Sequence, residues 1–574
     1  MTQLINRKVP PKRQWKLEQQ GMHPLLARLY AARGIDDVSE LEYELKGLIP
    51  PTEMKGIAEA AELLADAIEA DANILIVGDY DCDGATATAV GVLALRAFGA
   101  RVDYLVPNRF EFGYGLSPEI VDLAAKAEPD LIVTVDNGIA SIEGVARARE
   151  LGIAVLITDH HLPGDALPEA DAIVNPNQPG CTFPSKNIAG VGVLFYVMLA
   201  LRAAMRERGV FEPGKEPNLG SLLDLVALGT IADVVSLDRN NRILVAQGLK
   251  RIRDGKMQPG IRALFRAVSR EPAKASSFDL GFLIGPRINA AGRLSDMSIG
   301  IRCLIASELN DALAMAQQLD ALNRERREIE AGMQEQAQAL LEKFDAPDAL
   351  ALSLFDEHWH QGVVGILASR IKERFHRPVF AFARTDEAKT DGLLRGSGRS
   401  IPGLHLRDAL DLVAKRAPGV LQKFGGHAAA AGVTLREADL DIFRRTFEAV
   451  VRDTVAASDL TRTVETDGGL EASYFSLEVA RMLQDEIWGQ GFPAPLFADT
   501  FVVEHQRLLK DAHLKLRLRK GNTVIEAMRF HNATPAPDQV RVAYRLQINE
   551  YNGVASPQLV VEHLEAAEPR DTAD

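Results

Sequence analysis

Between residues 55 and 235, short apolar runs alternate with patterns typical of helices. The expected strands are 74–77, 102–106, 131–135 and 154–158, and the expected helices are 57–70, 86–98, a segment from Pro118, and 142–151. Strands and helices that alternate at this spacing predict βαβ units and an α/β fold with a parallel, doubly wound sheet. Because such sheets bind ligands at the carboxyl ends of their strands, the residues that follow each run are the first candidates for a site.

The rest of the chain divides into further parts, since 574 residues are too many for one hydrophobic core. A long helical pattern at 307–344, ended by Pro347, predicts a helix that connects two globular segments. Beyond residue 457, short strand-like runs predict a small β-barrel or sandwich. The expected parts are an N-terminal extension at 1–50, an α/β domain at 51–275, a linker with the long helix at 276–345, a second α/β domain at 346–456 and a β domain at 457–574.

The composition is that of an ordinary soluble globular protein, with 47% hydrophobic and 25% charged residues. The longest apolar stretch, 191–201, is about half a membrane span, so it predicts a core helix and no membrane segment. The N-terminus lacks the apolar region of a secretory signal, and the three cysteines form no CxxC pair, which favours a cytoplasmic protein. The net charge of −14 argues against indiscriminate nucleic-acid binding but leaves room for a local basic channel.

Three carboxylates, Asp79, Asp81 and Asp83, follow the strand at 74–77 directly. Like charges this close repel one another unless a cation neutralises them. Divalent ions such as Mg²⁺ and Mn²⁺ prefer carboxylate oxygens, so these acids are candidate metal ligands. The alternative is an acidic loop that stabilises the N-terminus of the next helix.

More acids and histidines follow the other strands of the same sheet. Asp136 follows 131–135, the run Asp159-His160-His161 follows 154–158, and Asp233 follows a helical pattern at 222–228. Each has an ordinary interpretation alone, as a turn, an exposed loop or a helix cap. Their coincidence at one sheet edge instead favours two octahedral Mn²⁺ or Mg²⁺ ions, which can bind a phosphoryl group and activate water. The sheet edge therefore predicts a two-metal phosphoesterase.

These motifs, in this order, resemble those of the DHH phosphoesterase family. The motifs are Asp79-Tyr80-Asp81-Cys82-Asp83-Gly84, Asp136-Asn137-Gly138, Asp159-His160-His161 and Gly229-Thr230-Ile231-Ala232-Asp233, followed by 285–294, 396–400 and 424–427. The last two are similar to the family's accessory DHHA1 domain. The resemblance implies a DHH domain, a connecting helix, a DHHA1 domain and a C-terminal OB-like barrel. Cys82 stands where the family has Ala, and a buried Cys behaves as a small hydrophobe.

The resemblance also implies roles for individual residues. Its metal ligands are Asp81, Asp83, Asp136, His160 and Asp233, with Asp79 as a weaker candidate that supports them. Its catalytic group comprises His161, Asp159, Arg287, Asn289 and His427. Its pocket for a 5′-terminal phosphate comprises Arg109, Ser397 and Arg399. Arg287 could equally form a structural ion pair, and His427 could equally be a packed core histidine.

The β domain carries its own indication of nucleic-acid binding. Lys515, Arg517 and Arg519 alternate with leucines, so one face of the predicted strand is basic and the other is buried. A solvated strand face is the simpler interpretation. In an OB-like barrel, however, such a face suits the backbone of a single strand.

Within the family, the resemblance is to the exonucleases that degrade single-stranded DNA in the 5′ to 3′ direction to mononucleotides in recombination and repair. The alternatives are a DHH phosphoesterase acting on short oligonucleotides or cyclic dinucleotides, and an inactive DNA-binding module. The expected partners are single-stranded DNA and, from the family, a single-strand-binding protein and a helicase. We expect a monomer, because nothing in the sequence indicates an oligomer.

Overall fold

The computed structural model describes residues 2–107, 115–212, 214–343, 349–385 and 392–567. The chain forms two compact units. One unit is Ala321–Val464 together with the N-terminal strand, and the other joins Asn6–Asp320 to the residues after Val464. The N-terminal segment contains β1 (Thr2–Asn6), α1 (Pro11–Gln19) and α2 (Pro24–Ala32).

A five-stranded parallel sheet positions the acids of the first α/β domain. Its elements are α3 (Ile57–Glu69), β2 (Asn73–Gly78), α4 (Cys82–Ala97), β3 (Arg101–Leu105), α5 (Pro118–Ala124), β4 (Leu131–Val135), α6 (Ile142–Glu150), β5 (Ala154–Thr158) and β6 (Ala172–Val174). The strand order is β3-β2-β4-β5-β6, and all neighbouring strands are parallel. The order reverses between β2 and β4, which is where such sheets bind their ligands.

Further helices follow the sheet in the chain. They are α7 (Gly190–Glu207), α8 (Leu223–Ala232), α9 (Arg239–Arg253), α10 (Pro259–Ala267), α11 (Gly285–Leu294), α12 (Ser298–Ile305) and α13 (Leu309–Lys343), with one π-helical turn at Asp279–Ile284 before α11. Both α7 and α8 pack against α4, and all but three residues of α4 are buried. The 35-residue α13 confirms the expected long helix, and the boundary between the two units falls within it.

The second unit contains a mixed sheet. Its elements are β7 (Leu352–Phe355), α14 (Val364–Phe375), β8 (Val379–Arg384), β9 (Leu393–Arg399), α15 (Leu406–Arg416), β10 (Lys423–Gly426), β11 (Ala430–Arg436), α16 (Leu440–Thr454) and β12 (Arg462–Thr466), the last of which pairs with β1. The sheet order is β10-β11-β9-β8-β7. Its core includes Phe380 and Phe382 of β8, packed against Phe443 and Phe447 of α16.

The C-terminal domain is a closed barrel, which settles the choice between barrel and sandwich. After α17 (Leu477–Asp485) come β13 (Phe497–Leu509), β14 (His513–Lys520), β15 (Thr523–Arg529), β16 (Gln539–Tyr551) and β17 (Val554–Ala566). They close in the order β13-β14-β15-β17-β16. The fold class expected from the sequence is therefore confirmed.

The N-terminal segment contributes to the core of this barrel. Leu25 and Leu29 of α2 belong to the same buried cluster as Phe497 and Phe501 of β13. The guanidinium of Arg33 donates two hydrogen bonds of 2.9 Å to the carboxylate of Asp467, and both side chains are almost fully buried. The sequence predicted an N-terminal extension, but it did not predict the place of α2 in the barrel core.

Candidate metal centre

The register of the parallel strands brings the acidic motifs level with one another. Gly78, the last residue of β2, lies opposite Val135 of β4, which in turn lies opposite Thr158 of β5. The next residues are Asp79, Asp136 and Asp159, so three carboxylates emerge at the same height on one edge of the sheet. The coincidence expected from the sequence is thus present in the structure.

Asp81 and Asp83 are fixed by two different helix N-termini. Oδ1 of Asp81 accepts hydrogen bonds from the backbone N–H of Asp83 (2.9 Å) and Gly84 (3.0 Å), so Asp81 caps α4. Asp83 is fully buried, and it accepts from the backbone N–H of Gly190 (2.7 Å) and Val191 (2.9 Å) at the start of α7. Metal binding and helix capping are therefore compatible interpretations of this loop.

His160 lies among three carboxylates. Its Nε2 atom is 3.1 Å from Oδ1 of Asp136, 3.5 Å from Oδ2 of Asp233 and 4.0 Å from Oδ2 of Asp83. The ring hydrogen-bonds the backbone of Ile188, and Nε2 has no hydrogen-bond partner within the described ranges. Nε2 and the nearest carboxylate oxygens are thus all lone-pair donors that face one another, which is the arrangement expected around a cation.

The ligand atoms form three overlapping groups, each with all its atoms within 4.8 Å of one another. The groups are Asp79, Asp81 and Asp136; Asp83, His160 and Asp233; and Asp136, His160 and His161. Oxygen-rich donors with one or two imidazoles suit Mn²⁺ or Mg²⁺ better than a structural zinc ion. The residues present therefore fit such a metal.

The pKa values of the carboxyls indicate a concentration of uncompensated negative charge. Burial and the neighbouring Asp81 raise the pKa of Asp83 to about 7. Burial and the charge of Asp83 also raise the pKa values of Asp136 and Asp233 well above the ordinary range. Burial and the neighbouring His161 lower the pKa of His160 to about 4, so this ring is neutral and able to ligate. A divalent cation would compensate this charge and favour the ionised carboxylates.

Asp159 acts through the histidines that follow it. Its Oδ1 atom accepts from the backbone N–H of His160 (2.7 Å) and lies 2.8 Å from Nδ1 of His161, while Oδ2 accepts from the backbone N–H of Ile139 (2.9 Å). Although burial opposes the shift, the hydrogen bond with His161 lowers the pKa of Asp159. Burial of the His161 ring alone would lower its pKa. The hydrogen bond to Asp159 outweighs burial, so the pKa of His161 is raised. The contacts place Asp159 as a support for His161.

Two other residues of the expected catalytic group make structural contacts with neighbouring parts of the chain. Oδ1 of Asn289 accepts from the backbone N–H of Cys82 at 2.8 Å, which ties α11 to the acidic loop. The guanidinium of Arg287 contacts the carboxylate of Asp320 at 2.8 and 2.9 Å. The structure thus contains the ion pair that was the alternative interpretation of Arg287.

The expected 5′-phosphate residues lie in the other unit, as far as they are described. Arg399 is half-buried, and it donates to Oγ of Ser397 (3.0 Å) and Oγ of Ser369 (3.1 Å). A Cβ built on Gly365, in the first turn of α14, would lie 3.0 Å from Oγ of Ser397. His427 follows the left-handed Gly426, and its backbone N–H donates to Ala430. Arg109 lies outside the described residues.

The basic strand has the alternation that was predicted. Leu514, Leu516 and Leu518 are buried in the barrel, so Lys515, Arg517 and Arg519 point outward from β14. Each of these three cations lies within 3.3 Å of a carboxylate oxygen, contributed by Glu526 or Glu504.

Sequence reasoning missed the part that α7 plays in the centre. Its first residue, Gly190, packs so close to Asp136 that an added Cβ would lie 2.6 Å from Oδ1. Its backbone N–H also binds Asp83, so one residue without a side chain positions two candidate ligands. One signal in the sequence could have indicated this role. Gly190 and Gly192 stand at the start of an apolar helix, although glycine lowers helix stability, which suggests that another group packs closely there.

Comparison with known proteins agrees with this organisation. Family models match residues 73–230 as the N-terminal domain of the DHH family, 348–453 as a DHHA1 domain and 466–563 as a RecJ OB domain. The single-stranded-DNA-specific exonuclease RecJ of Escherichia coli is 51% identical over 555 residues, which cover 94% of this chain and 96% of the relative. The chain belongs to the RecJ family.

Solved RecJ structures share the fold and contain metals. The RecJ structure from Thermus thermophilus in complex with Mn²⁺ matches with a TM-score of 0.82 at 32% identity, covering 99% of this chain and 80% of that one. The complex of RecJ from the same organism with Mg²⁺ matches with a TM-score of 0.76 at 30% identity, covering 99% and 78%. These are the two ions that the donor set of this chain suits. Within the described ranges, each helix is too short or too polar to cross a lipid bilayer.

Proposed function

We propose that this chain is a metal-dependent exonuclease that degrades single-stranded DNA from the 5′ end to mononucleotides. One observation carries the proposal: seven carboxylate and imidazole side chains converge where the strand order of a RecJ-type sheet reverses. The RecJ relatives are named for specificity toward single-stranded DNA, which supports the same substrate here. Roles in recombination and repair, with a single-strand-binding protein and a helicase as partners, belong to this proposal. So does a monomeric state in the cytoplasm.

The donors divide naturally between two ions. Asp79, Asp81 and Asp136 would hold one, and Asp83, His160 and Asp233 would hold the other; Oδ1 of Asp136 also lies 3.1 Å from Nε2 of His160. When bound, two such ions neutralise the charge of a phosphodiester and lower the pKa of water to produce a nucleophile at neutral pH. Asp159 holds His161 through Nδ1, so the ring can hold or move a proton at Nε2.

The preference for a 5′ end requires a second anion site, which we assign to Ser397 and Arg399 with Arg109. The guanidinium of the half-buried Arg399, the hydroxyl of Ser397 and the glycine-bearing first turn of α14 are all suited to a phosphate. In this proposal His427 contributes to the same wall. The outward cations Lys515, Arg517 and Arg519 would follow the strand farther from its end.

The deciding experiment offers the protein, with Mn²⁺, single-stranded DNA labelled at either end, duplex DNA, RNA and a cyclic dinucleotide. We expect release of labelled mononucleotide from the 5′-labelled single strand first. Preference for the cyclic dinucleotide, or release from the 3′ end first, would overturn the proposal in favour of the other DHH phosphoesterase chemistry.

A pair of variants tests the metal assignment. Asp136→Ala is expected to abolish cleavage and weaken Mn²⁺ binding while single-stranded DNA still binds. The control is Asp122→Ala, which removes an exposed carboxylate paired with Arg147 on the surface of the same domain. Cleavage by Asp136→Ala at the rate of the control would refute the site.

A further inference from the structure

The basic face of the barrel is already occupied by carboxylates of the protein itself. Nε of Arg517 lies 3.3 Å from Oε2 of Glu504, and Nε of Arg519 lies 3.1 Å from Oε1 of the same side chain. Lys515 contacts Glu526 across the β14–β15 pair at 2.9 Å. A strand that reaches Lys515, Arg517 and Arg519 therefore meets cations that are already paired.

Glu504 lies at an irregularity in β13, beside both arginines. Val503 pairs with Leu518 and His505 pairs with Arg517, so Glu504 is an extra residue in a β-bulge without its own partner on β14. A bulge redirects its side chain relative to the regular alternation of the strand. Arg517 and Arg519 lie two residues apart on one face of β14, and the two oxygens of Glu504 divide between them.

Two neighbouring guanidinium groups that share one anion, as Arg517 and Arg519 share Glu504, are also suited to a phosphate. A phosphodiester also presents two negatively charged oxygens, which could bind two neighbouring guanidinium groups as the carboxylate does. A phosphate can reach both guanidinium groups from solvent, since the side chains of Arg517 and Arg519 are 62% and 43% exposed. Exposed ion pairs are weak, so a strand can replace the carboxylate.

We infer that Arg517 and Arg519 form a backbone-phosphate site for single-stranded DNA in which Glu504 competes with the incoming phosphate. The inference rests on the proposed function, because it takes the substrate to be a single strand that crosses the barrel. Glu504 then limits the affinity of the barrel for single-stranded DNA. When a phosphate leaves Arg517 and Arg519, the carboxylate of Glu504 takes its place.

The test is Glu504→Gln, which keeps the length of the side chain and removes its charge. In EDTA, where the strand stays intact, the full-length variant is expected to bind oligo(dT) about 3- to 10-fold more tightly than the parent at low salt. The dependence of log affinity on log salt should steepen by about 0.7, since one further phosphate contact to a single strand contributes about that much.

The matched control is Glu562→Gln. It changes the net charge by the same amount, and it frees Arg545, whose Nε lies 2.9 Å from Glu562 on two strands that do not pair with β14. An equal gain in both variants would overturn the inference, because it would reflect net charge alone. No gain in Glu504→Gln would overturn it as well.

A double variant separates this inference from the proposed function. If Arg517→Gln with Arg519→Gln weakens binding and also abolishes the gain from Glu504→Gln, the inference is supported. If the double variant weakens binding but Glu504→Gln changes nothing, the barrel binds DNA and only the competition by Glu504 is refuted. If neither change affects binding, this face is not a DNA site, while the cleavage assays still decide the exonuclease activity.

Discussion

Nδ1 of His161 lies 2.8 Å from Oδ1 of Asp159. The same oxygen accepts the backbone N–H of His160, so one carboxylate orients both histidines of the centre. Asp159 itself faces the backbone and His161, and it belongs to none of the three groups of metal donors. Its contribution is to fix the orientation and the tautomer of the His161 ring.

Asp159→Asn is predicted to lower kcat far more than it raises KM. The amide would present an N–H group toward His161 or toward backbone donors, so the imidazole would lose its tautomer and orientation. A loss of about 10²- to 10⁴-fold is expected for a misplaced acid–base group. The control is Asp171→Asn, because Oδ2 of Asp171 accepts the backbone N–H of Val155 at the opposite end of the same strand. If the two variants have the same kcat, Asp159 has only a structural role.

Gly190→Ala is predicted to weaken Mn²⁺ binding by about 10- to 100-fold, the range seen when the support of a metal ligand is lost. The added methyl group would lie 2.6 Å from Oδ1 of Asp136, so either the carboxylate or the start of α7 must move. Calorimetric titration with Mn²⁺ measures the effect. Gly332→Ala is the control, because a Cβ there meets nothing within 4 Å. Unchanged Mn²⁺ affinity in Gly190→Ala would contradict the proposed position of Asp136 in the site.

Arg399→Lys is predicted to raise KM about 10-fold for 5′-phosphorylated ends and to leave 5′-hydroxyl ends almost unaffected. Lysine keeps the charge but cannot donate at once to Ser369, Ser397 and a phosphate. Arg370→Lys, which alters an arginine paired with Glu330 in the same unit, serves as the control. Equal losses on the two kinds of end would exclude Arg399 from the 5′-phosphate pocket.

Stability is predicted to fall with rising pH through the titration of Asp224. Burial raises the pKa of this carboxyl to about 6, from an ordinary value of 3.8. A raised pKa means that ionisation disfavours the folded state, so stability is unaffected below pH 4 and decreases up to pH 6. The full loss is about 3 kcal/mol.

Thermal melting at several pH values measures this effect. Asp224→Asn should lose less stability than the parent between pH 4 and pH 7, because the amide does not ionise. Asp122→Asn, at an exposed carboxylate, should follow the parent over the same range. Parallel curves for the parent and Asp224→Asn would show that the carboxyl is not responsible.

The parallel sheet and the position of its acids could be predicted because both depend on short stretches of sequence. Apolar runs of four or five residues fixed the strands, and the polar residues after them followed directly. The start of α4 was predicted at residue 86 and lies at Cys82, because Asp81 caps the helix while also belonging to the acidic loop. The pattern of apolar residues marks Asp81 as part of the loop, but it does not show that Asp81 also caps the helix.

What could not be predicted depends on contacts between distant parts of the chain. The backbone of α7 binds Asp83 across 107 residues of sequence, and no side-chain pattern marks a backbone donor. The basic face of β14 was visible as an alternation, but the contact of Glu504 with this face arises from pairing between strands. Similarly, β17 completes the barrel through a parallel pairing with β15 that local sequence does not specify.

The presence of Leu25 and Leu29 in the barrel core has a consequence for the order in which the protein can form. During synthesis, α2 leaves the ribosome more than 400 residues before the strands that it packs against. The apolar face of α2 therefore lacks its final packing partners until the last domain has been synthesised. Loss of α2 and loss of the barrel strands would therefore damage the same core, although the two lie at opposite ends of the sequence.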